Sequence, residues 1–241
     1  MNTVAFDKKR TKVIAHRGVS GLECENSCAA FVAAGNRSYF GIETDVHVTK
    51  DGRYIIVHDD RTGRVSDTNI SVEGSTFEEL SRVRLYSDVK QKTPGRRDLV
   101  LPELADYIRI CKGYGKIAVL ELKNPMEPDR IDGIVEVIRQ LDHLDGTIFI
   151  SFSLENMQHL RRLLPDQKLQ YLTGQWSDAL PDLLRENCLD LDIEYRQLTA
   201  QRVDLLHRMG IEVNCWTCDT PEEAEALAGM GVDYITSNIL E

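Results

Sequence analysis

Eight short apolar or β-branched runs recur along this chain, and segments with helical periodicity lie between most of them. The predicted strands cover residues 12–15, 41–46, 117–122, 147–151, 169–172, 189–193, 212–217 and 234–236. The predicted helices cover residues 27–34, 101–112, 129–141, 154–164, 179–187, 199–209 and 221–230. This alternation favours a closed parallel sheet over an open one, so we predict an α/β fold, a (β/α)8 TIM barrel.

The region after the second predicted strand departs from this alternation. Residues 53–58 predict an extra strand that forms a hairpin with the second one, because residues 50–52 are turn formers. The polar stretch that follows contains one predicted short helix, residues 76–83, and its second half is as consistent with a loose surface loop as with a pocket wall. We expect one domain over residues 1–241, with a small insertion at about residues 47–100.

The charge balance argues against nucleic acid as a partner. The chain has 29 Lys and Arg against 39 Asp and Glu, a formal charge of -10, and no basic run stands out. We find neither an apolar stretch of signal-peptide length near the N-terminus nor a run long enough to span a membrane. The six cysteines are scattered as in proteins with reduced thiols. We therefore expect a cytoplasmic protein without stable membrane insertion, and the oligomeric state stays open.

Polar side chains stand at the ends of the apolar runs, where parallel barrels keep their catalytic groups. Glu43 and Asp45 are two residues apart and share one face of a strand, and Glu121 and Lys123 repeat this spacing on the next barrel strand. Taken alone, each pair is better explained as ordinary strand-end charge. The position of both pairs at the ends of adjacent barrel strands favours a site for Mg²⁺ or Ca²⁺, which bind carboxylate oxygens.

Two histidines are candidates for acid and base catalysis, since imidazole changes charge near neutral pH. His16 ends the first strand and precedes Arg17, whose guanidinium can bind a phosphate through paired N–H groups. His58 ends the predicted hairpin, while His47 is better explained as a structural residue. A divalent metal, two imidazoles and two cations together indicate metal-assisted cleavage of a phosphate ester.

A set of short motifs follows the strand ends in a fixed order over nearly the whole chain. The motifs are His16-Arg17-Gly18, Glu25-Asn26-Ser27, Glu43-Thr44-Asp45-Val46, Val57-His58-Asp59, Leu120-Glu121-Leu122-Lys123, Trp216-Thr217 and Gly231-Val232-Asp233-Tyr234-Ile235-Thr236. As an ordered set they resemble the glycerophosphodiester phosphodiesterase family of phosphatidylinositol-phospholipase-C-like TIM barrels. The resemblance implies metal ligands at Glu43, Asp45 and Glu121, an acid and a base at His16 and His58, and phosphate binding by Arg17 and Lys123.

The same resemblance implies hydrolysis of a small-molecule glycerophosphodiester to glycerol 3-phosphate and an alcohol. Trp216 is then equally well explained as a pocket wall beside the glycerol or as a core aromatic. The alternatives are a lysophospholipase D acting on lysophospholipids, which needs an apolar channel, and a non-catalytic phosphodiester-binding barrel. The sequence leaves four points open: the head group, the choice of Mg²⁺ or Ca²⁺, the attacking group, and which histidine is the acid. The attacking group is water or a neighbouring glycerol hydroxyl that forms a cyclic phosphate.

Overall fold

A closed ring of eight parallel strands organises residues 2–241, which are the residues that this computed structural model describes. In chain order the elements are β1 (Lys12–Ala15), α1 (Cys28–Gly35), β2 (Gly41–Val48), β3 (Tyr54–Ile56), α2 (Phe77–Ser81), β4 (Tyr86–Asp88), β5 (Thr93–Pro94), α3 (Leu104–Gly113), β6 (Ile117–Leu122), α4 (Pro128–Gln140), β7 (Thr147–Ser151), α5 (Leu154–Leu163), β8 (Leu169–Thr173), α6 (Leu180–Glu186), β9 (Asp190–Glu194), α7 (Ala200–Arg208), β10 (Val213–Trp216), α8 (Pro221–Met230) and β11 (Tyr234–Ser237). The ring runs β1, β2, β6, β7, β8, β9, β10 and β11, and β11 pairs with β1 to close it. The predicted (β/α)8 TIM barrel is confirmed.

The barrel strands are nearly continuous apolar runs because both of their faces are covered. In β6, Leu120 and Leu122 pack against the surrounding helices, whereas Val119 points into the barrel. The apolar residues that fill the interior are Ile14, Val119, Ile148, Ile150, Leu172 and Tyr234. This filling leaves room for a cavity only toward the carboxyl ends of the strands, which is where active sites of this fold lie.

Local signals in the sequence account for several helix ends. The Ser27 side chain accepts a hydrogen bond from the Ala30 N–H and caps α1. At α2, Thr76 and Glu79 form a reciprocal capping box. Gly231 ends α8 with φ at 91°, a left-handed conformation that suits glycine. These caps fix the helices that stand behind the site loops.

An insertion, residues 49–103, lies between β2 and α3. It contains β3, which pairs antiparallel with β2, the short helix α2, and an antiparallel ribbon of β4 and β5. Its own apolar cluster contains Cys24, Ile55, Val57, Val65, Val72, Leu80, Val83, Leu85, Leu99 and Leu101. The second half of the insertion is therefore anchored by buried residues, while most of residues 86–98 lie at the surface and none of them lines the active-site cavity. The apolar residues Leu85 and Leu99 are buried inside an otherwise polar stretch, and the Leu85 N–H donates to the Leu99 carbonyl at 3.0 Å.

The outer face next to β1 and β11 is covered by extended chain. Val4 forms a parallel bridge with Leu240, and Leu240 is fully buried in the cluster between barrel and helices. The longest helix is α4, with 13 residues. Within residues 2–241, no helix has the combined length and apolar character that crossing a bilayer requires.

Candidate active site

The register between β2 and β6 brings three carboxylates together. Asp45 lies directly opposite Glu121 on neighbouring parallel strands, and Glu43 precedes Asp45 by two residues on the same face. One oxygen atom from each of the three side chains lies within 4.8 Å of the others. All three side chains are buried, with 6% exposure or less. The sequence-predicted trio is thus a single cluster at the carboxyl end of the barrel.

Two cations approach this carboxylate cluster. Lys123 Nζ lies 2.8 Å from Glu121 Oε1 and 3.4 Å from Asp45 Oδ1. Arg17 Nε lies 3.6 Å from Asp45 Oδ2, and the Arg17 backbone N–H donates to Glu43 Oε2 at 2.8 Å. Three carboxylates therefore face two cationic side chains, which leaves an excess of one negative charge in a buried place.

The carboxylate cluster has the properties of a cation site. Burial and the charge of Asp45 raise the pKa values of Glu43 and Glu121. Burial opposes ionisation of Asp45 too, but Lys123 and Arg17 hold its pKa below the usual range. Among residues 2–241, no donor makes a hydrogen bond of normal geometry to Asp45 Oδ1 or to Glu121 Oε1. Available hard oxygen atoms in a negative pocket fit a divalent cation such as Mg²⁺ or Ca²⁺.

His16 is held in one tautomer by Asn238 and Asp219, at the carboxyl end of the barrel. Its Nδ1 lies 2.7 Å from Asn238 Oδ1. The Asn238 amide nitrogen donates to Asp219 Oδ2 at 2.6 Å, and a carboxylate can only accept, so the amide oxygen faces the histidine. His16 Nδ1 therefore carries the proton, and Nε2, 4.0 Å from Glu43 Oε2, has a free lone pair. Burial, aided by the charge of Arg17, lowers the pKa of His16 to about 4.

His58 has a charged partner instead of a neutral one. Its Nδ1 donates to Asp59 Oδ1 at 2.6 Å. Burial lowers the pKa of His58, but the charge of Asp45 and the hydrogen bond to Asp59 favour the protonated ring. The His58 side chain is 32% exposed, against 18% for His16. The two imidazoles thus differ in partner and in contact with water.

The loop after β1 has an unusual backbone that presents Arg17. Arg17 has φ at 52°, a conformation that residues with a side chain adopt uncommonly and that clusters at functional sites. Gly18 follows at φ 74°, and a Cβ atom there would lie 2.6 Å from Ala30 Cβ. Asn26 donates to the Arg17 carbonyl at 2.9 Å through its backbone, and its side chain donates to Asp45 Oδ2 at 2.7 Å. This loop therefore couples Arg17 to the carboxylate cluster.

Most of these groups line a cavity of about 210 Å³, although Asp45 and Lys123 are not among its lining residues. Its lining residues are His16, Arg17, Glu43, His58, Glu121, Ile150, Phe152, Leu172, Asp192, Trp216, Thr217 and Thr236. Trp216 packs edge to face on Phe152 with ring centroids 5.9 Å apart. It also packs against the apolar interior, so Trp216 is both a pocket wall and part of the core.

The match to a family model begins at the first of these site residues. The model described as "Glycerophosphoryl diester phosphodiesterase family" matches residues 16–240. This chain belongs to the glycerophosphoryl diester phosphodiesterase family. The expectation raised by the ordered motifs is confirmed at the level of the family.

Members of the glycerophosphoryl diester phosphodiesterase family align with this chain over nearly its whole length. The glycerophosphodiester phosphodiesterase of Caldanaerobacter subterraneus is 27% identical over 236 residues, 95% of this chain and 94% of that protein. That of Bacillus altitudinis is 28% identical over 236 residues, 93% of each. A phosphodiesterase structure from Oleispira antarctica in complex with the product sn-glycerol-3-phosphate has a TM-score of 0.87 and 26% identity, over 98% of this chain and 96% of that one.

Three site residues of this family member escaped the sequence analysis. Asn238 and Asp219 orient His16. Asn238 directly follows β11, and Asp219 lies in the loop after β10, so their positions after barrel strands could have identified them. Asp192 lines the cavity from β9 with 2% exposure, and its Oδ1 has no hydrogen-bond partner among residues 2–241. Its signal was the alternation of acidic and apolar residues in β9, which places Asp190, Asp192 and Glu194 on one face of the strand.

His47 keeps the structural position expected for it. It is fully buried, its Nδ1 lies 3.0 Å from Glu73 Oε1, and its Nε2 lies 3.3 Å from the His58 carbonyl oxygen. It does not line the cavity. His47 therefore links β2 to the insertion behind the candidate catalytic histidine.

Proposed function

We propose that this protein hydrolyses glycerophosphodiesters to glycerol 3-phosphate and an alcohol. The observation that carries the proposal is one cavity lined by Arg17, two differently paired histidines and two members of the buried carboxylate cluster, with Lys123 paired to that cluster. Membership of the glycerophosphoryl diester phosphodiesterase family supports the same reaction. A cavity of about 210 Å³, with charged groups on one side and apolar side chains on the other, suits a small phosphodiester better than a macromolecule.

Glu43, Asp45 and Glu121 are proposed to hold one divalent cation, Mg²⁺ or Ca²⁺. Such a cation polarises a phosphoryl oxygen and lowers the pKa of the attacking hydroxyl. The three oxygen atoms already lie together, and Asn26 fixes one of them by donating to Asp45 Oδ2. Outer hydrogen bonds of this kind orient ligands before the cation arrives.

Arg17 and Lys123 are proposed to bind the phosphate. Both side chains stand beside the carboxylate cluster, at 17% and 13% exposure, with their charged groups directed toward it. A guanidinium can donate two parallel N–H bonds to phosphate oxygens, and an ammonium adds a compact positive charge. Together they would offset the negative charge that a phosphodiester brings into a site already containing three carboxylates.

The different partners of the two histidines suggest their roles. His16, held by the neutral Asn238 with Nε2 unprotonated, is proposed as the general base that removes the proton of the attacking hydroxyl. His58, whose ring proton on Nδ1 faces Asp59, is proposed as the general acid that protonates the departing alcohol oxygen through Nε2. The bond from phosphorus to the attacking oxygen forms, the bond to the alcohol oxygen breaks, His16 gains one proton and His58 loses one. Attack by water gives glycerol 3-phosphate directly, whereas attack by the neighbouring glycerol hydroxyl gives a cyclic phosphate that water must open in a second step.

Two further points belong to this proposal. Trp216 and Phe152 form an apolar wall against which the carbon skeleton of the substrate would pack. The exposed ring of Phe152 at the cavity also favours testing lysophospholipids, as a lysophospholipase D would bind them. We further propose a cytoplasmic location, because all six cysteines are free thiols, the state that reducing compartments maintain.

The test is release of glycerol 3-phosphate by purified protein from glycerophosphocholine and glycerophosphoethanolamine, and release of choline from lysophosphatidylcholine, which a lysophospholipase D would convert to choline and lysophosphatidic acid. Each reaction is run with EDTA and again after Mg²⁺ or Ca²⁺ is restored. His16→Ala should abolish release, whereas the control His159→Ala, on the outer helix α5 and paired with Asp132, should retain it. Turnover of lysophosphatidylcholine alone would replace the proposal with the lysophospholipase D alternative. Turnover that survives EDTA or His16→Ala would contradict the mechanism.

A further inference from the structure

One arginine of the insertion joins the carboxylate of Asp59, the partner of His58, to the carboxylate of Glu25. Arg64 Nε donates to Asp59 Oδ2 at 2.6 Å, and its Nη1 donates to Glu25 Oε2 at 2.7 Å. Its Nη2 reaches both carboxylates, at 2.8 Å to Glu25 Oε1 and 3.2 Å to Asp59 Oδ1. A planar guanidinium that pairs with two carboxylates fixes their distance and their relative orientation.

Each of these carboxylates holds a site residue on its other side. Glu25 Oε1 accepts a hydrogen bond from Arg17 Nη1 at 2.8 Å. Asp59 Oδ1 accepts a hydrogen bond from His58 Nδ1 at 2.6 Å. The chain of contacts therefore runs from Arg17 through Glu25 to Arg64, and on through Asp59 to His58. We call these five residues the Arg64 bridge.

The charges in the Arg64 bridge require the central arginine. Burial disfavours the ionised forms of Glu25 and Asp59, yet hydrogen bonds from Arg64 help to keep the pKa of each below its usual value. Glu25 is 14% exposed, so water alone would compensate its charge poorly. With Arg64 removed, Glu25 would keep only Arg17 as its charged partner, and Asp59 would keep only His58.

Arg64 itself stays outside the reacting groups. It lies at the end of a 3₁₀ turn, Thr62–Arg64, and it is not among the residues that line the active-site cavity. Any effect on the reaction would have to pass through Arg17 and His58. This position separates it from the residues that contact the substrate.

We propose that Arg64 is a positioning residue that sets the separation of the phosphate-binding Arg17 and the acid His58. Through Arg64 the insertion, which carries His58 itself, is joined to the loop that presents Arg17, and the inference rests on the proposed function of those two residues. Loss of the bridge should weaken phosphate binding, through Arg17, and slow protonation of the leaving alcohol, through His58. A purely structural arginine would produce neither change selectively.

The experiment compares Arg64→Ala and Arg64→Lys with the wild-type protein and with the control Arg61→Ala. Arg61 begins the same turn, but its guanidinium donates to the side chain and carbonyl of Asn69 and not to Glu25 or Asp59. We expect Arg64→Ala to lower kcat/KM by roughly 10- to 100-fold, with a higher KM and a lower kcat. Arg64→Lys should recover little, because an ammonium lacks the fork that spans both carboxylates. Arg61→Ala should match the wild type.

Two readouts separate positioning from stability. Millimolar guanidinium should raise the activity of Arg64→Ala several-fold and leave the wild type unchanged. The kcat defect should shrink when the leaving group is p-nitrophenol, which departs without a proton from His58. Melting temperatures accompany every variant. A loss of activity that tracks melting temperature, ignores guanidinium and is the same for both leaving groups would overturn the proposal.

A binding measurement keeps the test independent of turnover. Affinity for glycerol 3-phosphate and for inorganic phosphate is measured by calorimetry on the metal-supplemented protein. Arg64→Ala should bind both about tenfold more weakly, in keeping with the loss of one oriented guanidinium contact. If the wild-type protein does not hydrolyse glycerophosphodiesters, the proposed function fails, and this affinity difference still tests Arg64. Equal affinities in the wild type and in Arg64→Ala would overturn the positioning role.

Discussion

The two ends of the barrel both carry charged residues, but only one end leaves charges unsatisfied. At the carboxyl end, the carboxylate cluster of Glu43, Asp45 and Glu121 outnumbers its cations, and the single ammonium of Lys123 is shared between Glu121 Oε1 and Asp45 Oδ1. At the amino end, Lys168 is paired with Glu212, and the Tyr234 hydroxyl donates to Glu212 Oε2 at 2.7 Å. The charged groups at the amino end of the barrel strands are therefore paired, whereas those at the carboxyl end carry an excess of negative charge.

The amino end is closed by aromatic and cationic side chains. Lys12 Nζ lies 4.7 Å from the centre of the Phe40 ring and 5.1 Å from that of Tyr234. A surface depression of about 460 Å³ opens nearby, where His207 pairs with Asp233 at 2.8 Å. It is larger than the active-site cavity of about 210 Å³. The volume of the cavity therefore does not identify the active end of the barrel, whereas the uncompensated charge of the carboxylate cluster does.

The largest expected effect is at the carboxylate cluster. Asp45→Asn should lower kcat by roughly 10⁴-fold, because it removes a proposed metal ligand and the several kcal/mol of charge stabilisation that a bound cation supplies. Without added metal, its melting temperature should fall, because Lys123 and Arg17 stabilise the ionised Asp45 and would lose a buried partner. Steady-state kinetics measure kcat, and thermal unfolding measures the melting temperature. The control Asp190→Asn lies at the opposite end of a barrel strand, where Asp190 accepts from the Glu212 N–H. Equal loss of activity in the two variants would break the comparison.

The pH dependence should report the different partners of the two histidines. A base must be neutral, so kcat/KM should fall only as pH drops well below 6.5, because burial and Arg17 lower the pKa of His16 to about 4. An acid must be protonated, so the alkaline limb follows His58, whose pKa burial also lowers. Asp59→Asn should move that limb about one unit lower, since a neutral amide no longer favours the protonated ring. An unmoved alkaline limb, or a shifted acid limb, would contradict the assignment.

The smallest expected effect is at the amino end. Tyr234→Phe removes the hydroxyl that donates to Glu212 and accepts from Lys168 Nζ at 2.9 Å. The free energy of unfolding should fall by about 1 kcal/mol, the usual net value of such a hydrogen bond. Denaturant unfolding measures the loss, and kcat should stay within a factor of two. A large loss of activity from this distant change would show that the two ends are coupled.

Much of the fold followed from the sequence because the barrel strands are buried on both faces. Strands β1, β6 and β7 begin and end as predicted, and the remaining barrel strands differ from prediction by one or two residues at an end. The three carboxylates and both histidines could be chosen because a polar residue that ends an apolar run is conspicuous. The catalytic and binding roles of these residues stay predictions, as does the single domain over residues 1–241.

Other features depend on contacts between distant parts of the chain. Asn238 meets His16 across 222 positions, and Arg64 meets Glu25 across 39, so no local pattern predicts either pair. The ribbon of β4 and β5 was missed because its strands have three and two residues and mostly polar side chains. Its order comes from the buried residues Leu85 and Leu99, which only the folded insertion brings together.

The filled interior of the barrel has a kinetic consequence. The space beneath the cavity is filled by Ile14, Val119, Ile148 and Tyr234. Substrate and products are therefore expected to pass through the same opening, at the carboxyl end of the barrel. Arg17 and Lys123 are proposed to bind the phosphate, so we expect the product that carries the phosphate to leave after the alcohol. Accumulated glycerol phosphate would therefore compete directly with the diester substrate for entry to the cavity.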